Sequence, residues 1–325
     1  MIIYTVCHME KMDNIAIIGI GTIGYRHLQS LMELQGQCNI YAVEINKEII
    51  QVLNNEFSDV KFVTTVDELP NELEVVIIAT NSNVRRILFE QIVAHSTVKN
   101  IIFEKVLFQK EEDYFFVQSK LNELGIKAWV NCARREWESY NLLKKELNNC
   151  KELYISANGG HWGIGCNAIH ILDLIEYLSG NKIEILDMGK LENNIFESKR
   201  KGFYEFFGTI SGTSGRCKNF SITCMDSDLP FYVEIITDKS RYMINEGENY
   251  LLKIDSKSNW QWEKREFKQV YQSDMSGRVV KSIIDGGYCN LPDYESSMNL
   301  HLKYIKPLID FFKSNGMGGD VCPIT

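Results

Sequence analysis

The sequence has no continuous apolar run approaching the ~18 residues of a membrane-crossing helix, which argues against a membrane protein. It has no Cys-x-x-Cys pair. Its nine cysteines, an odd number, are scattered singly at positions 7, 38, 132, 150, 166, 217, 224, 289 and 322. That scatter fits free thiols in a reducing cytoplasm better than a zinc or disulfide framework. Nor is there an excess of positive charge. Thirty-five Lys and Arg stand against forty-three Asp and Glu, a net charge of −8, which disfavours a general polyanion binder such as a nucleic-acid protein. Internal repeats and low-complexity stretches are also missing. The opening residues, MIIYTVCHMEKM, lack the basic segment of a signal peptide. Residues 1–13 are therefore expected to be a disordered extension, with Met9 or Met12 a sensible start before the first strand.

What is present is an ordinary globular composition, 45% hydrophobic and 24% charged, over 325 residues. At ~150 residues per domain, that length accommodates two domains. From residue 14 to about 130, short β-branched runs at 15–20, 40–43, 75–79, 101–103 and 128–130 alternate with amphipathic stretches. Such runs suit strands buried on both faces, and strand alternating with helix means a doubly wound parallel sheet. After a helical stretch at 135–147 the character changes. Strands are expected at 151–157 and 183–188 with a strong helix at 166–178 between them. A run of turn-linked strands over 203–254 follows, then helices at 276–285 and 294–313. The expected architecture is an α/β domain over 14–130 followed by an α+β domain over 131–325, its mostly antiparallel sheet carrying helices on one face.

Gly19-Ile20-Gly21-Thr22-Ile23-Gly24 directly follows the first run and opens the first helix. The first glycine allows a tight turn, the second lets backbone approach a pyrophosphate, and the third allows close helix–strand packing. The helix N-terminus turns its N–H groups toward the anion. Glu44 stands at the end of the second run, twenty residues beyond Gly24. A carboxylate there accepts hydrogen bonds from an adenosine ribose and repels a 2′-phosphate, favouring NAD over NADP, with Lys47 leaving NADP some opening. Thr80 and Asn81 follow the run at 75–79, where open α/β sheets bind ligands. They read either as cofactor contacts or as caps of the next helix.

Glu104-Lys105-Val106 ends another run at the same edge. Successive strand residues face opposite ways, so only one of Glu104 and Lys105 points into a given cleft. On the helix at 166–178, Cys166, His170, Asp173 and Tyr177 fall on one polar stripe of an otherwise apolar element. That stripe must face water, a cleft or partners.

Together, the glycine turn with His27 behind it, the Glu104-Lys105 pair and the glycine-rich lead into a His170-x-x-Asp173 helix resemble the glucose-fructose oxidoreductase/inositol dehydrogenase family (Gfo/Idh/MocA). The resemblance runs in order from about residue 14 to at least 180. It implies an N-terminal Rossmann domain that binds NAD, Glu104 included in the cofactor site. It also implies a C-terminal sheet that builds the substrate pocket and the interface of a homodimer or homotetramer. The implied activity is oxidation of a hydroxyl, or reduction of a ketone, on a sugar, cyclitol or nucleotide sugar. Lys105 matches the family's catalytic lysine and His170 its catalytic histidine. Two departures stand out: Val106 replaces the usual proline, and Cys166 replaces the usual Asp four residues before the histidine, with Asn167 able to take over some polar contact.

Hydride departure needs a base for the hydroxyl proton. His170 has the side-chain type that titrates near neutrality, with Lys105 as stabiliser of the same oxygen or as the base itself. Asp173 would orient the imidazole or serve a structural role. Arg134 and Arg135 are candidate anion contacts or a solvated pair. Trp162 is a candidate sugar platform or a core residue, and Lys199-Arg200-Lys201 reads as a charged loop. His27 reads as packing or surface. Two further functions stay open: a redox-neutral lyase, epimerase or hydrolase that recycles bound NAD, and a non-catalytic dinucleotide-binding protein.

Overall fold

The computed structural model describes residues 12–325, so most of the expected N-terminal extension lies outside the described residues. Asp13, placed in that extension from the sequence, is instead the first residue of a strand. Six strands form a fully parallel sheet: β1 (Asp13–Ile18), β2 (Cys38–Val43), β3 (Val60–Val63), β4 (Glu72–Ile78), β5 (Thr97–Phe103) and β6 (Lys127–Val130), in the order β3-β2-β1-β4-β5-β6. Ile15 to Ile18 and Val75 to Ile78 are essentially solvent-free, because α1 (Thr22–Leu31), α2 (Lys47–Glu56), α3 (Ser82–His95) and α4 (Glu111–Leu124) flank the strands. The strand order reverses between β1 and β4, so the carboxyl ends of these two strands open a crevice. β3 is the strand of this sheet missed in sequence. It is four residues long, with Lys61 exposed and Phe62 and Val63 only partly buried at the sheet edge, too short for a period to register.

After α5 (Glu138–Leu147) the chain builds an eight-stranded sheet from β7 (Leu153–Gly160), β8 (Ile185–Glu197), β9 (Tyr204–Ser214), β10 (Cys217–Met225), β11 (Tyr232–Thr237), β12 (Ser240–Asn245), β13 (Tyr250–Asp255) and β14 (Glu263–Glu266). Its order is β14-β13-β12-β11-β7-β10-β9-β8, antiparallel except for β7 beside β10. β8 continues nine residues past the expected 188. Its outer half is mostly exposed and polar at the sheet edge, with only Leu191 and Ile195 partly buried, so apolarity could not mark it. Between β7 and β8 runs α6 (Ile164–Ser179), buried over most of its circumference against β9, β10 and the long α8 (Tyr294–Ser314). One expectation changes here: α7 (Ser276–Gly286) lies on α1 rather than on the second sheet. Gly277 explains the choice, since a Cβ there would stand 2.4 Å from the Ser30 carbonyl. No helix among the described residues is long and apolar enough to cross a membrane.

Candidate active site

The glycine turn is built as a cradle. Gly19 holds φ +87°, and a Cβ on it would stand 2.6 Å from Thr80 Cγ2, while one on Gly24 would stand 1.9 Å from the Gly19 carbonyl. A Cβ on Gly21 would meet nothing within 4 Å. The space over Gly21 is thus open while its neighbours are locked, which is what close approach of a pyrophosphate requires. Gly21 is also the N-cap of α1, with no side-chain cap and no acidic residue in the first turn, leaving the helix's positive end available to an anion. Glu44 accepts the Ile20 and Asn46 N–H groups at 3.1 and 2.9 Å, and its carboxylate keeps lone pairs for ribose hydroxyls. Thr80 Oγ1 is buried without a partner, and Asn81 N-caps α3 without a side-chain hydrogen bond. These residues fit a dinucleotide. Gly24→Ala is expected to weaken NAD binding at least tenfold, about 1.4 kcal/mol, and to lower stability. Gly21→Ala should weaken NAD alone, as read by fluorescence titration beside thermal denaturation.

At the end of β5 the two ionisable neighbours part company. Glu104 turns inward, 5% exposed, where His27 Nε2 and Asn131 Nδ2 meet its Oε1. His27 Nδ1 contacts Ser276 Oγ at 2.8 Å, and Gln272 ties Asn131 to Ser276. Burial works to raise the Glu104 pKa, but the His27 and Asn131 hydrogen bonds and the Lys105 charge hold it below the ordinary carboxylate value. Glu104 is therefore a buried anchor, not the cofactor contact expected of it, because a desolvated carboxylate must be surrounded by donors. His27, read as packing or surface, is its partner.

Lys105 faces the other way. Its Nζ donates to the Cys166 carbonyl at 3.2 Å and to Asn167 Oδ1 at 3.3 Å. The Lys105–Val106 peptide is cis. Arg85, missed in the sequence, pins this turn from beneath. Fully buried, its guanidinium donates to the carbonyls of Val106, Leu107 and Thr80, and burial lowers its pKa to about 10.

The N-terminus of α6 meets Lys105 beside a cavity of about 610 Å³. Lys105, Trp162, Cys166 and Asn167 line it, together with residues 196–200 and 203–207, so the expected substrate contacts Trp162, Cys166 and Asn167 do come together. Trp162 donates Nε1–H to the Thr223 carbonyl at 2.9 Å and packs on Phe231. Burial pushes the Cys166 thiol up to about 12. The carboxylate missing at Cys166 has a neighbour that sequence reading did not find: Glu205 of β9 accepts the Gly165 and Cys166 N–H groups at 2.6 and 3.1 Å. Burial raises the Glu205 pKa against those hydrogen bonds.

His170, one turn further along α6 and half-buried, is not part of the cavity wall. Its Nδ1 is buried without a partner. Burial first, then the charges of Lys105 and Arg134, hold its pKa well below the ordinary imidazole value. The ring is accordingly neutral at neutral pH.

Three expectations fail on partners. Asp173 does not orient His170: it takes Arg135 bidentately at 2.8 and 2.7 Å. Arg134 is likewise closed on Glu246 at 2.7 and 2.6 Å, with Tyr140 on the same carboxylate. Both arginines are removed as anion contacts, since the charge of each is already met by a carboxylate of the chain itself.

The fold is thus a dinucleotide-cradling parallel sheet carrying a second sheet, with a lysine and an uncharged histidine where the two meet. Residues 14–132 match the GFO_IDH_MocA family model, described as the oxidoreductase family with NAD-binding Rossmann fold. No curated protein matches the sequence. Among solved structures, the chain resembles UDP-N-acetylglucosamine 3-dehydrogenase GnnA from Acidithiobacillus ferrooxidans, with 13% identity, TM-score 0.73, and coverage of 91% of this chain and 97% of that one. It also resembles a super-repressor mutant of Gal80p from Saccharomyces cerevisiae, with 14% identity, TM-score 0.73, and coverage of 95% and 97%. A dehydrogenase (MviM) from Clostridium difficile is similar at 13% identity, TM-score 0.72, covering 92% and 99%. At these identities the likeness is one of fold.

Proposed function

We propose that the protein is an NAD-dependent oxidoreductase that interconverts a hydroxyl and a ketone on a sugar, cyclitol or nucleotide sugar. The observation that carries this reading is the meeting of Lys105 with the first turn of α6 beside a cavity of about 610 Å³, within the 300–1,000 Å³ typical of ligand sites. Gly19, Gly21, Gly24, Glu44, Thr80 and Asn81 would hold the dinucleotide, which when bound supplies the hydride acceptor. The Glu44 carboxylate favours NAD over its 2′-phosphorylated form.

Lys105 would hold the substrate oxygen and stabilise the negative charge that grows on it. His170, one turn along α6 from the cavity wall, would receive the hydroxyl proton through one bridging water. The depressed pKa keeps its basic form populated well into acid, so the rate should show no inflection near ~6.5, the ordinary imidazole value, and should fall only at lower pH. Lys105→Ala removes the largest charge acting on His170 and should move the residual activity's acid limb up toward that value. A pH profile of kcat/KM on both proteins checks it, and an unmoved limb would remove His170 as base.

The reading itself is tested by following reduced nicotinamide absorbance against a panel of sugars, cyclitols and nucleotide sugars. NAD retained through purification with product but no net reduction would support instead a redox-neutral reaction with recycled cofactor. A non-catalytic binding role has one observation in its favour, the un-ionised Cys166 thiol where the family resemblance implies a carboxylate. NAD binding without turnover of any panel member would favour it.

A further inference from the structure

With Arg134 and Arg135 closed on their own carboxylates, the cations left to meet an anionic substrate lie elsewhere. The hairpin joining β8 to β9 carries Lys199, Arg200 and Lys201 at its tip. The structure brings Lys199 and Arg200, but not Lys201, into the wall of the cavity that holds Lys105. The tip is a fixed turn. Ser198 N donates to the Phe203 carbonyl at 2.8 Å, Arg200 N to Ser198 Oγ at 3.1 Å, and Gly202 N to Glu197 Oε1 at 2.8 Å.

The chain contains ten arginines. Among the described residues, Arg200 is the one whose guanidinium has no hydrogen bond, ion pair or aromatic partner; the others are all engaged. The two side-chain carboxylates in the same wall, Glu197 and Glu205, are not paired with it. Glu197 accepts a backbone N–H of its own turn, and Glu205 is committed to the first turn of α6. A planar guanidinium beside two ammonium groups in one concavity is suited to a bidentate oxyanion.

Resting on the oxidoreductase reading of this cavity, we infer that the substrate carries an oxyanion, a carboxylate or phosphate, that Arg200 and Lys199 hold at the hairpin wall while Lys105 addresses the reacting oxygen. Arg200 and Lys199 are then residues that set specificity, and neutral sugars are poor ligands. The two sources of such an oxyanion, a sugar acid and a phosphorylated sugar, are separated by the probes.

Calorimetric binding at saturating NAD is measured for glucose, glucuronate, glucose 6-phosphate and UDP-glucose on the wild-type chain, Arg200→Gln, Lys199→Ala and the control Lys201→Ala. NAD-coupled turnover is followed in parallel. The expected result is that at least one anionic probe binds tenfold or more tighter than glucose, and that Arg200→Gln removes at least tenfold of its affinity. Lys199→Ala should remove less, and Lys201→Ala should behave as wild type. The preferred probe identifies the source of the oxyanion. Equal binding of all four probes, binding of none, or anion affinity unchanged in Arg200→Gln would overturn the inference. Arg200-dependent binding without turnover of any probe would overturn the oxidoreductase reading and leave the anion site standing. Turnover indifferent to Arg200 would do the reverse.

Discussion

Replacing Lys105 by Met is expected to lower kcat by about 10²–10³-fold, the usual loss when one preorganised donor to a developing oxyanion is removed, with NAD affinity essentially unchanged. The side chain reaches the cavity from the end of β5 and is steadied by the Cys166 carbonyl and Asn167 Oδ1, so a methionine of similar length keeps the packing and loses only the donor and its charge. His170→Ala should cost a comparable factor, about 10²–10⁴ for a lost general base. The double variant should be little worse than the more damaged single one, because residues serving one proton transfer act as a unit. Steady-state kinetics with NAD titration decides the matter. Wild-type kcat in Lys105→Met would remove the catalytic assignment.

Arg85→Met should be the most destabilising single change away from the cavity. It leaves three inward carbonyls, those of Thr80, Val106 and Leu107, without donors. At ~1–3 kcal/mol for each buried group left unpaired, and with partial relaxation, the loss is about 3–5 kcal/mol. Urea denaturation reads it, and a loss below ~1 kcal/mol would show that the carbonyls find other donors. Activity should fall with stability even under folding conditions, because the same guanidinium ties the turn after β4, where Thr80 awaits the cofactor, to the turn after β5, which carries Lys105. Arg85→Lys should recover only part of both, since a point charge cannot reach three carbonyls in a fork.

The parallel sheet was legible because its signals are local: apolar runs at β1, β2, β4, β5 and β6, and glycines whose spacing reports a turn. Motif order singled out Lys105 and His170, and the fold sets Lys105 against the first turn of the helix that carries His170. The partners were not. Arg134 meets Glu246 across 112 positions and Arg135 meets Asp173 across 38, and nothing in the local pattern distinguishes an arginine that seeks a ligand from one already matched. Arg85 sat in an amphipathic helix among surface-type residues, and its burial follows from three carbonyls that only the folded sheet edge assembles. Glu205 lies on a strand whose alternation gives its face but not its neighbour. The basic tip at 199–201 looked like solvated charge because a hairpin's aim depends on the register of β8 against β9, which slips at two points.

The anchor around Glu104 also bears on the order in which the chain matures. His27 is near the start and Ser276 is 249 positions later, yet they share a hydrogen bond in the floor of the first domain. During synthesis, the parallel sheet emerges long before the segment that supplies Gln272 and Ser276. Until that segment arrives, α1 exposes His27 and Ser30, and the two donors to Glu104, His27 and Asn131, lack the Ser276 and Gln272 groups that fix them. The anchor beneath the turn that carries Lys105 is thus completed only by residues up to 249 positions downstream of His27, which couples the packing of the first domain to the second half of the chain.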